Sequence, residues 1–207
     1  MKYTDLIYDF DGTIADSYPI FTESFVRLVA ARGVTADYDR VMSLLKVSVS
    51  KASNAFVEPE SDRNAFNQLF HDDRNNLMLE KGLPMEGAEE ILGFVTENGG
   101  RNYIYTHSPN YIWDALEKWG LRKYFVGGVT ADFGFPCKPA PNGMNYIIET
   151  YGIDREKCLM VGDRSIDVNA GRNAGIKGVL LDPDGFYADF EPDFRVDRLT
   201  EIKKILL

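Results

Sequence analysis

Two aspartates, Asp9 and Asp11, are the first residues in the chain whose types and spacing suggest chemistry. They directly follow a short apolar run, residues 6–8, which predicts a buried β-strand. Gly12 then turns the chain away from that strand. One aspartate can offer its side chain and the other its backbone carbonyl to the same site, and such an oxygen-rich site suits Mg²⁺. The same pattern also occurs in ordinary turns, so the pair alone leaves a purely structural role open.

Further polar residues stand at or just beyond the ends of other predicted strands: Thr106, Lys138, Asp163 and Asp167. Taken singly, each has an ordinary explanation as a strand residue, a solvated lysine, a helix cap or a surface helix residue. Open α/β sheets bind ligands at the carboxyl ends of their strands. Because all of these residues follow strands in turn, we expect them to converge with Asp9 and Asp11 on one site.

The chemistry that this set supports is phosphoryl transfer. A carboxylate such as Asp9 can attack phosphorus and form an aspartyl-phosphate. Attack on an anionic phosphate requires neutralisation of charge, which Mg²⁺ on Asp9 and Asp163 would provide together with Lys138. Thr106 would donate hydrogen bonds to the phosphate oxygens. Asp11 would protonate the leaving group and then activate the water that hydrolyses the intermediate.

The elements that must position these residues alternate between strand and helix from residue 82 onward. Strands are predicted at 102–106, 125–130, 158–161 and 178–181, and helices at 86–98, 141–151, 165–174 and 199–206. A further helix is predicted with Ser108 as its N-terminal cap, and it ends at Gly120. This alternation predicts an α/β fold with a doubly wound parallel sheet, to which the first strand, residues 4–9, must also belong. We expect this strand to be central, flanked by the strands that end at Thr106 and Asp163, because their motif residues must meet.

Residues 16–81 contain no convincing strand and are predicted to form an all-helical unit inserted after the first strand. Helices are predicted from Asp16 to Gly33, around residues 41–45 and over 62–79, while residues 50–56 are ambiguous. The predicted domains are therefore a core of residues 1–15 and 82–207 and a helical cap of residues 16–81. We expect the cap to close over the site.

Composition narrows the classes of partner. The 207 residues carry a net charge of −9, which argues against nucleic acid or an anionic membrane as the main partner. The two cysteines are too few for a disulfide framework and indicate a reducing compartment. No apolar run approaches the ~20 residues of a membrane span, and residues 1–20 lack the order of a signal peptide. We therefore expect a cytoplasmic protein.

With these residues in this order, the sequence resembles the haloacid dehalogenase superfamily of phosphohydrolases, in the phosphoglycolate-phosphatase-like branch with a small helical cap. The resemblance covers nearly the whole chain. Its motifs are D-x-D-G-T at residues 9–13, an apolar strand ending in Thr at 103–106, a lysine before proline at 138–139, and G-D-x-x-x-D at 162–167. It implies a Rossmann-like core, Mg²⁺ as cofactor and a small phosphorylated metabolite as substrate.

The resemblance also implies roles at particular positions. Asp9 would be the nucleophile and Asp11 the general acid and base, with Gly12 and Thr13 supporting the turn. The Mg²⁺ ligands would be the Asp9 side chain, the Asp11 carbonyl and the Asp163 side chain.

The remaining motif positions would surround the metal and the phosphate. Asp167 would support the metal site. The candidate phosphate-binding residues are Thr106, Lys138 and His107, although many members carry Asn at the position of His107.

Three rival functions remain open at this stage. A phosphomutase shares all four motifs and differs in protecting its aspartyl-phosphate from water. A dehalogenase attacks carbon and does not need a second aspartate, so Asp11 argues against it. A non-catalytic binding module on this fold should have lost a catalytic carboxylate, and none is missing.

Recognition of the rest of the substrate is expected from the predicted cap. The motif residues leave substrate choice open, and the stretch from Leu45 to Ser53 matches no known signature. Lys46 is the first candidate for a cap contact to a second anionic group of the substrate, because it follows the apolar pair at 44–45 and is expected in an irregular stretch between helices. It is chosen from the cap cations Arg27, Lys46, Lys51, Arg63 and Arg74.

Overall fold

The computed structural model describes residues 1–207 and divides into two compact units. The first unit combines Met1–Ala15 with Pro84–Leu207, and the second is Asp16–Leu83. The second unit is thus inserted into the first after its first strand. None of the helices is both long enough and apolar enough to cross a lipid bilayer.

The first unit is built on a six-stranded parallel sheet with the order β3-β2-β1-β4-β5-β6. The strands are β1 (Asp5–Tyr8), β2 (Arg101–Tyr105), β3 (Phe125–Val129), β4 (Cys158–Gly162), β5 (Lys177–Leu181) and β6 (Phe194–Val196). All residues of β1 are buried, which explains why residues 6–8 form an apolar run rather than an alternating pattern. The predicted α/β fold with a parallel sheet is confirmed.

Strand β1 lies between β2 and β4, as predicted. Tyr8 at its end is in register with Ile104 of β2 and with Val161 of β4. The chain therefore leaves these three strands at one edge of the sheet. Asp9, Thr106 and Asp163 follow the strands at this edge.

The second unit consists of four helices and one short 3₁₀ turn. The helices are α1 (Tyr18–Ala30), α2 (Tyr38–Val47), α3 (Val49–Phe56) and α4 (Arg63–Lys81). Their common core is aromatic: the ring of Phe25 meets Phe56, Phe66 and Phe70 edge-on, at centroid distances of 6.1, 5.1 and 5.4 Å. These edge-to-face contacts give the small unit an apolar core of its own.

Residues 45–53, which carried no clear sequence signal, are almost entirely helical. Ser48 alone separates α2 from α3, and its extended backbone lets its side chain accept a hydrogen bond from the Lys51 N–H. A serine that caps a helix in this way ends one helix and starts the next. Lys46 therefore lies in the last turn of α2, and its expected position in an irregular stretch was wrong.

The helices of the first unit flank the sheet. They are α5 (Ala88–Glu97), α6 (Tyr111–Lys118), α7 (Asn142–Thr150), α8 (Ser165–Asn173) and α9 (Ile202–Leu206). Ile7, Tyr103 and Met160, from three adjacent strands, belong to one buried cluster with Ile147 of α7 and Ala170 of α8. This packing fixes the strands from which the site residues project.

Two details of the first unit differ from the sequence expectation. Helix α6 begins only at Tyr111, because Ser108 contributes its backbone and side chain to other contacts. The edge strand β6 was not predicted. It has three residues, and its only strand partner is β5, so its sequence carries little periodicity.

Candidate active site

The loop after β1 is a tight turn organised by backbone hydrogen bonds. The N–H groups of Thr13, Ile14 and Ala15 all donate to the carbonyl of Phe10. Gly12 adopts a φ of 72°, a conformation that other residues rarely take. The buried side chain of Thr13 lies 3.5 Å from a carboxylate oxygen of Asp163, Oγ1 to Oδ1.

Asp9 is the buried carboxylate at the head of this turn. Its Oδ1 accepts a hydrogen bond of 2.8 Å from the Phe10 N–H, which fixes the orientation of the carboxylate. Asp9, Asp163 and Asp167 each place a carboxylate oxygen within 4.8 Å of the others. Two of these aspartates come from the loops after β1 and β4, and the third comes from the first turn of α8.

Gly162 makes this approach of the loops possible. A Cβ atom at position 162 would lie 2.4 Å from the Cβ of Asp167, closer than any real pair of side chains. The glycine of the G-D-x-x-x-D motif is therefore required for space and not for a positive φ.

Lys138 neutralises this cluster from the side. Its Nζ lies 3.0 Å from Asp9 Oδ1 and 2.6 Å from Asp167 Oδ1, and it donates to the carbonyl of Tyr105 at 3.0 Å. The side chain is 1% exposed. Burial alone would lower the pKa of Lys138, but the carboxylates of Asp167 and Asp9 raise it overall, so the ammonium stays charged. The alternative explanation of Lys138 as a solvated surface lysine is thus excluded.

Asp167 is fully buried and accepts two hydrogen bonds, from Lys138 Nζ at 2.6 Å and from the Arg164 N–H at 3.0 Å. Burial raises the pKa of Asp167, against the opposing pull of Lys138. The second bond closes the first turn of α8, so one carboxylate both caps this helix and contacts the lysine. Asp167 is therefore no surface residue.

Thr106 and Ser108 connect the end of β2 with Asp11. The Ser108 N–H donates to Thr106 Oγ1 at 3.0 Å, so that the threonine hydroxyl proton is free to point elsewhere. Ser108 Oγ donates to Asp11 Oδ2 at 2.5 Å. The sequence interpretation missed this role of Ser108 and took it for a helix cap. The available signal was a small hydroxyl residue two positions after Thr106.

His107 contacts the lysine loop through its ring. Its Nε2 accepts a hydrogen bond of 2.8 Å from the Lys138 backbone N–H, which places the ring proton on Nδ1. Burial and the charge of Lys138 lower the pKa of His107 to about 4, so the ring is neutral at pH 7. In this arrangement His107 positions the backbone of Lys138.

The acidic cluster has the donor chemistry of a magnesium site. Its potential ligands are carboxylate oxygens, and the cluster contains no cysteine or histidine. Hard oxygen ligands of this kind suit Mg²⁺ better than Zn²⁺ or copper. The residues present therefore fit the metal that the sequence motifs imply.

The order of these residues along the chain also identifies a family. The family model of haloacid dehalogenase-like hydrolases matches residues 6–181, which include every motif described above. The chain belongs to the haloacid dehalogenase-like hydrolases. As a member of this family the protein is an enzyme, and the resemblance found in the sequence is confirmed.

Relatives of this hydrolase match over nearly their whole length. Phosphoglycolate phosphatase of Vibrio vulnificus (strain YJ016) is 27% identical, with 98% of this chain and 95% of the relative covered. Pyrophosphatase PpaX of Listeria monocytogenes serotype 4b (strain CLIP80459) is 24% identical, with coverage of 99% and 97%. The crystal structure of a hydrolase from Streptococcus pneumoniae TIGR4 is 32% identical, covers 100% and 99% of the two chains, and superimposes with a TM-score of 0.70.

Lys46 belongs to the second unit, whereas the residues brought together at this site belong to the first. Its ammonium group is placed over the ring of Tyr18, 5.8 Å from the centroid. Its role as a contact to the substrate stays a prediction.

Proposed function

We propose that this hydrolase is a Mg²⁺-dependent phosphatase that hydrolyses a small phosphate monoester through an aspartyl-phosphate on Asp9. The observation that carries the proposal is the buried contact of Lys138 with Asp9 and Asp167, beside a cluster of carboxylate oxygens. The phosphatase and pyrophosphatase names of full-length relatives support it.

In this proposal Asp9 attacks phosphorus with the carboxylate oxygen that does not accept from the Phe10 N–H. Lys138 lies 3.0 Å from that carboxylate and would neutralise part of the charge on the arriving phosphate. The oxygen of the Thr106 hydroxyl already accepts a hydrogen bond from the Ser108 N–H. The hydroxyl O–H would therefore donate a hydrogen bond to a phosphate oxygen. Fixed donors of this kind need no rearrangement when the charge develops.

Asp11 serves as general acid and base. The hydrogen bond from Ser108 Oγ holds its carboxyl group at a defined place two residues after the nucleophile. Asp11 gives a proton to the leaving oxygen and then takes one from the water that attacks the aspartyl-phosphate. Ser108 is a positioning residue for this proton transfer.

The metal would be held by the carboxylates of Asp9 and Asp163 and by the backbone carbonyl of Asp11. Asp167 would support this site through Lys138. When bound, Mg²⁺ supplies positive charge that offsets the repulsion between the Asp9 carboxylate and the phosphate.

We further propose that the helical unit acts as the cap expected from the sequence. Its insertion point lies directly after the loop that carries Asp11, and the chain re-enters the first unit at Pro84, which pairs with Ala15. The boundary at residue 83 lies two residues beyond the predicted one. A cap would exclude water during the attack by Asp9.

The direct test of the proposed function is a screen of the purified protein against phosphorylated metabolites, with Mg²⁺ present and phosphate release as the readout. The panel should include phosphoglycolate and pyrophosphate, the substrates named for the relatives. Turnover of one ester without any bisphosphate activator supports a phosphatase. Loss of the starting ester that requires a bisphosphate activator and releases no phosphate would instead indicate a phosphomutase.

Removal of the metal should abolish activity. Because the acidic cluster consists of hard oxygen ligands, we expect EDTA to eliminate phosphate release and added Mg²⁺ to restore it. Zn²⁺ should restore little, since the cluster offers no nitrogen or sulfur ligand. Undiminished turnover after exhaustive chelation would exclude the metal-dependent mechanism.

The variant Asp11→Asn should lower the rate by ~10²-fold or more with an alkyl phosphate, whose poor leaving group needs a proton. With p-nitrophenyl phosphate the loss in the first step should be smaller, because this leaving group departs without one. The measurement is a comparison of kcat/KM for the two substrates, which reports formation of the aspartyl-phosphate and not its later hydrolysis, with Ser108→Ala as a second variant that keeps the carboxylate but removes its hydrogen bond. Equal losses on both substrates would count against the acid role.

A further inference from the structure

Arg74 in α4 is one of only two buried cations in the chain. It is 9% exposed, and the other buried cation is Lys138. Lys138 is compensated by two carboxylates. Arg74 forms no ion pair and donates no hydrogen bond within the protein, and its Nε is buried without a partner. Burial of an uncompensated charge is costly, so such a side chain calls for a partner that the chain itself does not supply.

The guanidinium of Arg74 rests on aromatic rings of its own unit. Its central carbon lies 4.3 Å from the ring centroid of Phe21 and 5.5 Å from that of Phe70. The two rings lie at 81° to each other, so they flank the guanidinium from two sides and offset part of its desolvation. Nε is fully buried, whereas the terminal Nη atoms are not among the buried unpaired atoms and can donate to an acceptor.

The carboxylates that link α1 and α4 are paired with other cations. Asp73, the neighbour of Arg74 in sequence, contacts Arg27 at 2.5 Å and accepts from Ser24. Glu23 pairs with Lys81 at 2.6 Å. The charge of Arg74 is therefore not balanced by the acidic residues that connect α1 and α4.

His71, one turn before Arg74 in α4, responds to this unbalanced charge. Burial and then the charge of Arg74 lower the pKa of His71 to about 4, while Asp72 opposes the shift. A carboxylate bound to the guanidinium would cancel most of the part of this shift that Arg74 contributes, while the larger effect of burial would remain. The histidine thus reports whether Arg74 is occupied.

We propose that Arg74 is the anchor of an oxyanion site in the helical unit, which takes a carboxylate or phosphate group of a small molecule. The planar fork of an arginine matches the two oxygens of such a group and forms charge-assisted hydrogen bonds with them. The rings of Phe21 and Phe70 flank the guanidinium and restrict its orientation before the anion binds.

The binding test uses the intact chain in Mg²⁺-free buffer with EDTA. The probes are malonate and inorganic phosphate, titrated by calorimetry against sodium chloride of equal ionic strength. Arg74→Met removes the charge, and Arg74→Lys keeps the charge but removes the fork. Arg40→Met is the matched control, because Arg40 also lies over an aromatic ring, Phe56, at 5.4 Å but is exposed.

We expect Arg74→Met to weaken binding of malonate by about tenfold or more, the range for loss of hydrogen bonds to a charged group. Arg74→Lys should show an intermediate loss, and Arg40→Met should bind like the wild type. Circular dichroism checks that each variant is folded. Unchanged binding to folded Arg74→Met and Arg74→Lys would overturn the proposal. The role of Arg74 would then be limited to packing against aromatic rings.

A second readout is the titration of the two histidines by NMR. The chain contains only His71 and His107, so the two ring signals can be assigned by single substitution. Saturating malonate should raise the pKa of His71 in the wild type, and Arg74→Met should raise it without malonate. Binding of malonate that leaves the pKa of His71 unchanged would place the anion elsewhere and overturn the proposal.

Kinetics distinguish whether the bound anion is part of the substrate or a separate molecule. Of the three experiments, only this one rests on the proposed phosphatase function. Phosphoglycolate carries a carboxylate beside its phosphate, whereas p-nitrophenyl phosphate carries none. If the occupant belongs to the substrate, Arg74→Met lowers kcat/KM for phosphoglycolate about tenfold and leaves p-nitrophenyl phosphate unchanged. If the occupant is a separate anion, both substrates respond alike. Failure of catalysis in the wild type would refute the proposed function while leaving the binding and NMR results valid.

Discussion

Substitution of Asp9 by asparagine is expected to lower phosphate release on the order of 10⁴-fold or more while leaving the chain folded. An amide has nearly the shape of a carboxylate but is not a nucleophile. Its oxygen can still accept the hydrogen bond that the Phe10 N–H gives to Asp9 Oδ1. The turn after β1 should therefore persist, so that the loss reports the chemistry of one side chain.

The measurement is phosphate release from the best substrate of the screen, together with thermal unfolding of the variant. Asp154→Asn is a suitable control. Asp154 is an exposed aspartate of the same unit that caps the short turn before β4, and asparagine caps equally well. Near wild-type turnover in carefully purified Asp9→Asn would refute the assignment of the nucleophile. A loss of similar size in the control would show that the effect is not specific to Asp9.

The sheet could be predicted from the sequence because its strands are short apolar runs separated by helices. Parallel strands buried on both faces must be apolar, and their crossover connections are helices, so periodicity and order along the chain suffice. The position of β1 between β2 and β4 followed from the need for Asp9, Thr106 and Asp163 to meet. The structure has this order.

The contacts within the site were harder to predict because they depend on register and on residues far apart in sequence. The bond between Ser108 and Asp11 joins residues 97 positions apart, and no local pattern distinguishes it from a helix cap. The hydrogen bond from the Lys138 backbone to His107 spans 31 positions. The sequence motifs predicted which residues form the site, whereas the hydrogen-bond partners of these residues could be identified only in the folded structure.

Sequence patterns also gave little information on which cation of the helical unit could bind a ligand. Lys46 was preferred over Arg74 on the basis of its apolar neighbours and its expected loop. Both residues lie in helices, and the property that separates them is burial without a compensating carboxylate, which periodicity does not report. Arg74 lies four residues after Phe70 on the apolar, buried face of α4. A charged residue rarely occupies such a position.

Replacement of Lys138 by methionine should have the second large effect, on stability as well as on activity. Methionine fills a similar volume but leaves the buried carboxylates of Asp9 and Asp167 without their cation. Loss of one partner from a buried ion pair costs about 3–5 kcal/mol. We expect urea unfolding to show a loss of this size in Lys138→Met, and phosphate release to fall below detection because the attack of Asp9 loses its counter-charge.

The double variant Lys138→Met, Asp167→Asn separates the two effects. Removal of the fully buried Asp167 charge should recover a large part of the lost stability, because only Asp9 then remains uncompensated. Activity should stay absent, since the phosphate still meets no ammonium group. A single variant as stable as the wild type would mean that the carboxylates find other compensation and that Lys138 contributes to catalysis alone.

The pH dependence of Lys138→Met provides an independent check on the same interaction. Lys138 lowers the pKa of Asp167 against the larger effect of burial, so its removal should raise that pKa further above the value in the unfolded chain. A carboxyl group with a raised pKa binds its proton more tightly in the folded state, so stability increases as the pH falls. The stability deficit of Lys138→Met relative to the wild type should therefore shrink between pH 8 and about pH 5, and a deficit that is constant over this range would contradict the assigned ion pair.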